Sequence, residues 1–267
     1  MTVDQIDLNA DAGESFGRWT LGRDAELLPL VTTVNIACGY HAGDPGQMRR
    51  SLTLARQLAL SAGAHPGYPD LLGFGRRRLQ ISDDDVVDYI VYQTGALHGL
   101  ALTEGVPLTH VKPHGALYGQ VAESAELASR VSLELQSLQP GLALLIAPGA
   151  GAAAVAAAGL PVVLDAATDL EYDDDSKNII EPVPGEKDPE KVADRAAGLA
   201  KGYVITTSGK RVPLTAQSLC VHGDRPNAPE IARAVLRRLT SEGVDVRSAF
   251  SRSARAAMDA DGKATGD

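Results

Sequence analysis

Seven short runs built mainly of apolar and small residues, several ending in a burst of chemistry-bearing polar residues, limit what this chain can fold into. The runs lie at Gln5–Asn9, Thr32–Ala37, Leu60–Ala64, Thr109–Lys112, Ala143–Ala147, Val162–Asp165 and Ser218–Val221 and read as strands. Helical patterns separate them at 45–59, 83–104, 122–138, 150–158, 188–200 and 227–242. Near-continuous runs are expected of strands covered on both faces, and strand–helix alternation implies parallel pairing with right-handed crossovers. Seven strands close a barrel or form an open doubly wound sheet. The polar bursts follow the first, second, third, fourth and seventh runs, and only a closed ring brings all five to one mouth. The predicted fold class is therefore α/β, a distorted seven-stranded TIM-like (β/α) barrel.

A chain of 267 residues suffices for one such domain, predicted over 1–250, with a polar, Ala- and Gly-rich tail at 251–267 expected to fray. Two stretches break the rhythm. Asp165–Pro189 is acidic and turn-rich, either a lid over a pocket or a solvated excursion, and Gly202–Leu214 reads as a β-hairpin. A net charge of −9, with no basic cluster beyond Arg76-Arg77-Arg78, argues against a nucleic-acid partner. The N-terminal residues show no secretory pattern, and the uncharged Gly141–Leu164 is broken by Pro148, Pro161 and glycines, so no membrane span is predicted. With only Cys38 and Cys220, the expectation is a reducing, cytoplasmic location, and Cys38 reads as a small buried residue.

Each burst carries specific chemistry. Asp11 is placed to serve as general base, ligand or the group that orients an imidazole, with helix capping by Asp11 or Ser15 as the lesser alternative. His65 precedes a Pro-Gly turn that exposes its ring. Lys112 ends an apolar run, where an ammonium is tolerated only beside an anion or where it stabilises developing negative charge. His114 follows two residues later. Asp11, His65, Lys112 and His114 are the catalytic candidates, and Asn9, Glu14, Asn35, His41, Arg76, His222 and Asp224 the substrate-binding ones. Asp44 before Pro45 reads as a helix cap, and His98 and His110 as structural. No His-Glu-x-x-His or similar dense ligand spacing occurs, so no metal ligands are assigned, and no phosphate-cradling Gly-x-x-x-x-Gly-Lys-Ser/Thr loop is present. Pro148-Gly-Ala-Gly-Ala opens a helix, as an anion site or simply a tight turn.

Six strings carry a resemblance: Asp7-Leu-Asn-Ala-Asp-Ala-Gly-Glu-Ser-Phe-Gly17, Val34-Asn-Ile-Ala-Cys-Gly-Tyr-His-Ala-Gly-Asp-Pro45, Gly63-Ala-His-Pro-Gly-Tyr-Pro-Asp70, Gly73-Phe-Gly-Arg-Arg77, His110-Val-Lys-Pro-His-Gly-Ala-Leu-Tyr118 and Cys220-Val-His-Gly-Asp224. In this order they resemble the LamB/YcsF family over residues 5–245. The resemblance implies a barrel akin to that of polysaccharide deacetylases and glycoside hydrolases. It also implies ATP-dependent hydrolysis of 5-oxo-L-proline to L-glutamate, with the chain as the A component of a 5-oxoprolinase complex that also contains subunits B and C. ATP, with Mg2+, would be bound with or by those partners. The family pattern has arginine at two positions where this chain has Leu170 and Glu181, which implies weaker or redirected anion binding unless Arg76, Arg77 or a partner compensates. Two other outcomes stay open: a related lactam or amide hydrolase, in its most distinct form a metal-assisted deacylase, and a non-catalytic subunit.

Overall fold

The computed structural model describes residues 4–181 and 183–250. Seven strands, β1 (Gln5–Ala12), β2 (Thr33–Ala37), β3 (Ser61–His65), β4 (Leu108–Val111), β5 (Ala143–Ile146), β6 (Val162–Ala167) and β7 (Ser218–Val221), pair in parallel in chain order. β7 returns to β1, with Asp7 opposite Ser218 and Asn9 opposite Cys220, and closes the ring. The predicted barrel is thus the fold observed. A short strand at Asp245–Val246 adds to the start of β1 from outside the ring.

β1 is longer than its sequence pattern suggested and puts Asp11 on the strand itself. Its residues alternate as a pleated strand must. Ile6, Leu8, Ala10 and Ala12 pack into the apolar layer under the helices, while Asp7, Asn9 and Asp11 join hydrogen bonds inside the ring. Branched apolar side chains ordinarily fill a barrel; here much of the filling is polar. Asp7 accepts from Thr33 Oγ1 at 2.6 Å, from Thr32 Oγ1 at 2.7 Å and from Ser218. Asn9 Nδ2 donates to Ser218 Oγ at 2.7 Å and Asp165 Oδ1 at 2.9 Å. Asn35 Nδ2 donates to Asn9 Oδ1 and Asp11 Oδ1, each at 2.8 Å, and Asn35 Oδ1 accepts from His110 Nε2 at 2.7 Å. Below this layer Phe250 stacks on His110 and, with Ala143, Leu145 and Val163, plugs the far end.

The outer layer is α1 (Asp24–Leu27), α2 (Pro45–Gln57), α3 (Asp83–Glu104), α4 (Gly115–Glu123), α5 (Ala125–Leu138), α6 (Ala150–Ala157), α7 (Pro189–Ala200) and α8 (Ala228–Ser241). As read from the sequence, Asp44 caps α2, accepting from Gln47 N at 2.9 Å, with Pro45 in the first helical position. The single helix predicted at 122–138 is two. Ser124 adopts extended backbone and its hydroxyl caps α5 at Leu127 N, which ends α4. α1 and the first turns of α4 were not anticipated. The 202–214 hairpin is present, pairing Tyr203–Ile205 with Arg211–Pro213. Within the acidic 165–189 stretch Glu171–Tyr172 pairs with Asn178–Ile179, and this ribbon walls the barrel mouth. The expected fraying at 251–267 lies outside the described residues. No helix among them is long and apolar enough to cross a membrane.

Candidate active site

The carboxyl ends of the strands open into a cavity of about 550 Å3, where Lys112 is the central charge. It follows β4 and is buried. Its Nζ lies 3.0 Å from Asp11 Oδ1, 3.1 Å from Asn9 Oδ1, 2.9 Å from Cys220 Sγ and 3.5 Å from Asp165 Oδ2. Burial opposes the ammonium, but Asp11 and Asp165 more than offset it and hold the group well above the usual lysine range. Burial likewise works against the Asp11 carboxylate, yet His65 and Lys112 keep it well below the usual carboxylate range. Lys112 and Asp11 are therefore both charged at neutral pH.

Three imidazoles meet beside this pair. His65, the last residue of β3, lies with Nδ1 2.7 Å from Lys112 O and Nε2 3.5 Å from Asp11 Oδ2. His114 precedes α4, with Nε2 2.8 Å from Phe74 O and Nδ1 3.0 Å from His65 Nε2. His41, from the β2–α2 loop, lies flat on His114 with ring centroids 3.8 Å apart, and neither of its nitrogens has a hydrogen-bond partner. Burial first, then neighbouring imidazoles, pushes His41 and His114 well below the usual histidine range. Glu14 Oε1 sits 3.8 Å from His41 Nε2 and 3.9 Å from His114 Nδ1, and burial together with Asp224 and Asp11 drives its carboxyl well up. The glycines of the bursts make room for these rings. A Cβ on Gly67 would come within 2.3 Å of His41 Nδ1, and one on Gly75, which has φ +64°, within 2.8 Å of His41 Cβ.

A third group forms at the end of β7. His222 Nδ1 lies 2.7 Å from Asp169 Oδ1, and Arg225 Nε donates to the other oxygen at 2.6 Å. Against burial, His222 and Arg225 hold Asp169 down at about 2, and Asp169 in turn raises His222. His222 Nε2 is 3.9 Å from Asp11 Oδ2, so this dyad adjoins the Lys112 pair. Arg76 pairs with Asp224 at 2.6 Å.

Asp11, His65, Lys112, His114, Arg76, His222 and Asp224 all line the one cavity. Glu14 and His41 are buried beside His114, off its wall, and Asn9 and Asn35 lie deeper in the ring, where they position Lys112, Asp11 and His110. The sequence reading missed Cys220 as the sulfur beside Lys112, and missed Asp165, Asp169, Tyr118 and Arg225. Asp165 had the same signal as the other bursts, since it follows the apolar Val162–Leu164 directly, and Asp169 lies four residues on, after Thr168; Arg225 had none. Leu170 and Glu181 line the cavity, and Glu181 is engaged by Lys187 and by Arg225 at 3.0 Å. Arg77 turns away to Asp70. Two sets of donor atoms are close enough to hold a metal ion: Glu14, His41, His65 and His114, and Asp11, Cys220 and His222, each set lying within 4.8 Å.

The sequence model described as LamB/YcsF family matches residues 6–254. The A component of the 5-oxoprolinase of Thermus thermophilus is 44% identical over 248 residues, 91% of this chain and 99% of that protein. Its counterpart in Deinococcus radiodurans is 45% identical over 244 residues, 89% of this chain and 95% of that protein. The crystal structure of the lactam utilization protein from Thermus thermophilus superposes with a TM-score of 0.82 at 42% identity, covering 91% of this chain and 99% of that one. With family match, relatives and fold in agreement over most of its length, this chain belongs to the LamB/YcsF family.

Proposed function

We propose that this chain opens the lactam ring of 5-oxo-L-proline to L-glutamate in an ATP-dependent reaction, as the A component of a 5-oxoprolinase complex with subunits B and C. The names of its relatives support the role of one component among several and a cyclic amide as substrate. The observation that carries the reading is the charged Lys112–Asp11 pair, 3.0 Å apart on the cavity wall. A lactam is a resonance-stabilised amide, so opening it requires charge stabilisation at the carbonyl oxygen and a positioned water. Lys112 holds the developing oxyanion or the substrate carboxylate. Asp11 Oδ2, the oxygen not engaged by Lys112 and Asn35, takes a proton from water. The water oxygen bonds to the carbonyl carbon, the ring C–N bond breaks, and the leaving nitrogen takes a proton from His222, which Asp169 orients. ATP is a co-substrate whose terminal phosphoryl group passes to the carbonyl oxygen as ADP leaves. Once water has added and the C–N bond has broken, a second water hydrolyses the resulting acyl phosphate to the carboxylate and inorganic phosphate. ATP with Mg2+ is taken up with or by the partner subunits.

The test is ATP-dependent glutamate formation from 5-oxo-L-proline by the chain alone and mixed with B and C. Activity only in the mixture is the expected result. Inactivity of a mixture whose assembly is verified overturns the substrate. Leu170 and Glu181 on the cavity wall favour, as a second reading, a different lactam or amide, and the same assay with other cyclic amides examines it.

A further inference from the structure

We propose that Glu14, His41, His65 and His114 form a binding site for a divalent transition metal of the zinc class, with His65 Nε2 and His114 Nδ1 as its principal ligands. Backbone carbonyls fix the orientation of two of the rings. His65 Nδ1 faces Lys112 O at 2.7 Å, and His114 Nε2 faces Phe74 O at 2.8 Å. A carbonyl oxygen only accepts, so each ring donates from the nitrogen turned to the backbone. The other two nitrogens, His65 Nε2 and His114 Nδ1, face each other at 3.0 Å, where one proton joins them or, once it is displaced, both offer lone pairs to one ion. Two lone pairs at that distance repel unless something positive lies between or beside them.

Carboxyl groups border both nitrogens. Asp11 Oδ2 is 3.5 Å from His65 Nε2, and Glu14 Oε1 is 3.9 Å from His114 Nδ1. His41 is fully buried with neither nitrogen partnered, although a buried polar atom ordinarily finds a partner. Imidazoles fixed through one nitrogen by a carbonyl, with the other nitrogens converging, are how proteins orient histidines toward a metal. With Zn–N bonds of about 2.0–2.1 Å, tetrahedral ligand nitrogens stand about 3.3 Å apart, close to the spacing here. His41 and His114 have ring planes 2° apart, so His41 turns about Cβ–Cγ to become the fourth ligand, since parallel stacked rings cannot both aim in-plane lone pairs at one ion. The ligands come from four separate strand ends, which is why no ligand spacing shows in the sequence. An ion here borders Asp11 and supplies a Lewis acid beside the lactam site; only that catalytic role rests on the proposed activity.

The test uses the untagged full chain, purified without chelator and assayed for metal by mass spectrometry, then stripped and titrated with Co2+ alone. One ion per chain is expected, with the visible absorption of Co2+ in nitrogen and oxygen ligands. His65→Gln and His114→Gln abolish this, Glu14→Gln weakens binding more than about tenfold, roughly the loss of one charged ligand, and His98→Gln on α3 leaves it unchanged. Should the two histidine variants fail to fold, 15N spectra of the wild-type chain decide: Zn2+ shifts His65 Nε2 and His114 Nδ1 to metal-bound positions. A chain that takes up no Co2+, its two rings sharing one proton, overturns the proposal. So does a thiolate-to-cobalt band that disappears in Cys220→Ser, which puts the ion on Asp11, Cys220 and His222. None of these readouts requires turnover, so failure of the metal site and failure of the lactam substrate are told apart.

Discussion

Two layers of buried polar side chains share the inside of one barrel and follow opposite rules. In the lower layer, Asp7, Asn9, Thr33, Asn35, His110 and Ser218 bond one another, and none of their buried nitrogens or oxygens lacks a partner. In the upper layer both nitrogens of His41 lack one, and His65 Nε2 and His114 Nδ1 converge on each other while their opposite nitrogens are held by backbone carbonyls. Both layers lost the same kind of hydration on folding. A satisfied network rigidifies a core and needs nothing more, whereas an unsatisfied one keeps capacity for something that is not protein. Polar burial alone therefore does not mark a site in this barrel; incompleteness does.

Lys112 joins the layers, donating downward to Asn9 and sideways to Asp11, so its removal has the largest effect. Lys112→Met leaves Asp11 and Asp165 buried without their cation and should lower stability by about 3–5 kcal/mol in urea unfolding, with loss of the complex's activity. Adding Asp11→Asn should recover part of the stability and none of the activity, because the two substitutions share one interaction. If Lys112→Met lost less than about 1 kcal/mol, within the range of an ordinary substitution, the layers would be energetically separate.

Within the lower layer, two titrations oppose each other. Burial raises Asp7 to about 6. Unfolded aspartate titrates near about 4, so the stability Asp7 contributes is full below that pH and is lost as pH rises through 6. Burial lowers His110 to about 3, against about 6.5 unfolded, so its contribution is full at high pH and is lost as pH falls toward 3. Between pH 4 and 6 these slopes cancel, each amounting to about 1.4 kcal/mol per pH unit. Asp7→Asn leaves only the histidine slope, so its stability should rise by about 3 kcal/mol from pH 4 to 6 relative to wild type. Denaturant melts at the two pH values check this, and parallel profiles would mean that the lower layer does not hold a proton on Asp7.

The ring and most of its mouth were legible because Lys112, His65 and His222 each interrupt an apolar run where a strand ends, and no helix face needs such a residue there. The polar interior was harder to read. Asp7, Asn9 and Asp11 alternate with apolar residues on β1, a pattern that an amphipathic strand wetted on one face shares, and only closure of the ring buries their side. Asn9 and Asn35 accordingly read as ligand contacts although they sit beneath the site. The split at Ser124 was hidden because the apolar positions of α4 and α5 continue across the break. Donor geometry at His65 and His114 is illegible in any sequence, since it depends on carbonyls from Lys112 and Phe74 that only folding brings to the rings.

The smallest effect gives the most direct comparison of the layers, because one histidine in each can be exchanged for the same ring. His110→Phe removes partners from Thr109 and Asn35 and should cost about 1–3 kcal/mol for the buried group left unpaired. His41→Phe removes no hydrogen bond, keeps the stack on His114 and the edge contact with Phe74, and should stay within about 1 kcal/mol of wild type. Thermal and urea unfolding of chelator-treated protein measures both, so that no bound ion adds to the His41 value. A His41→Phe loss as large as that of His110→Phe would mean that His41 is held by interactions as complete as those below it, and the distinction between a closed layer and an open one would fall.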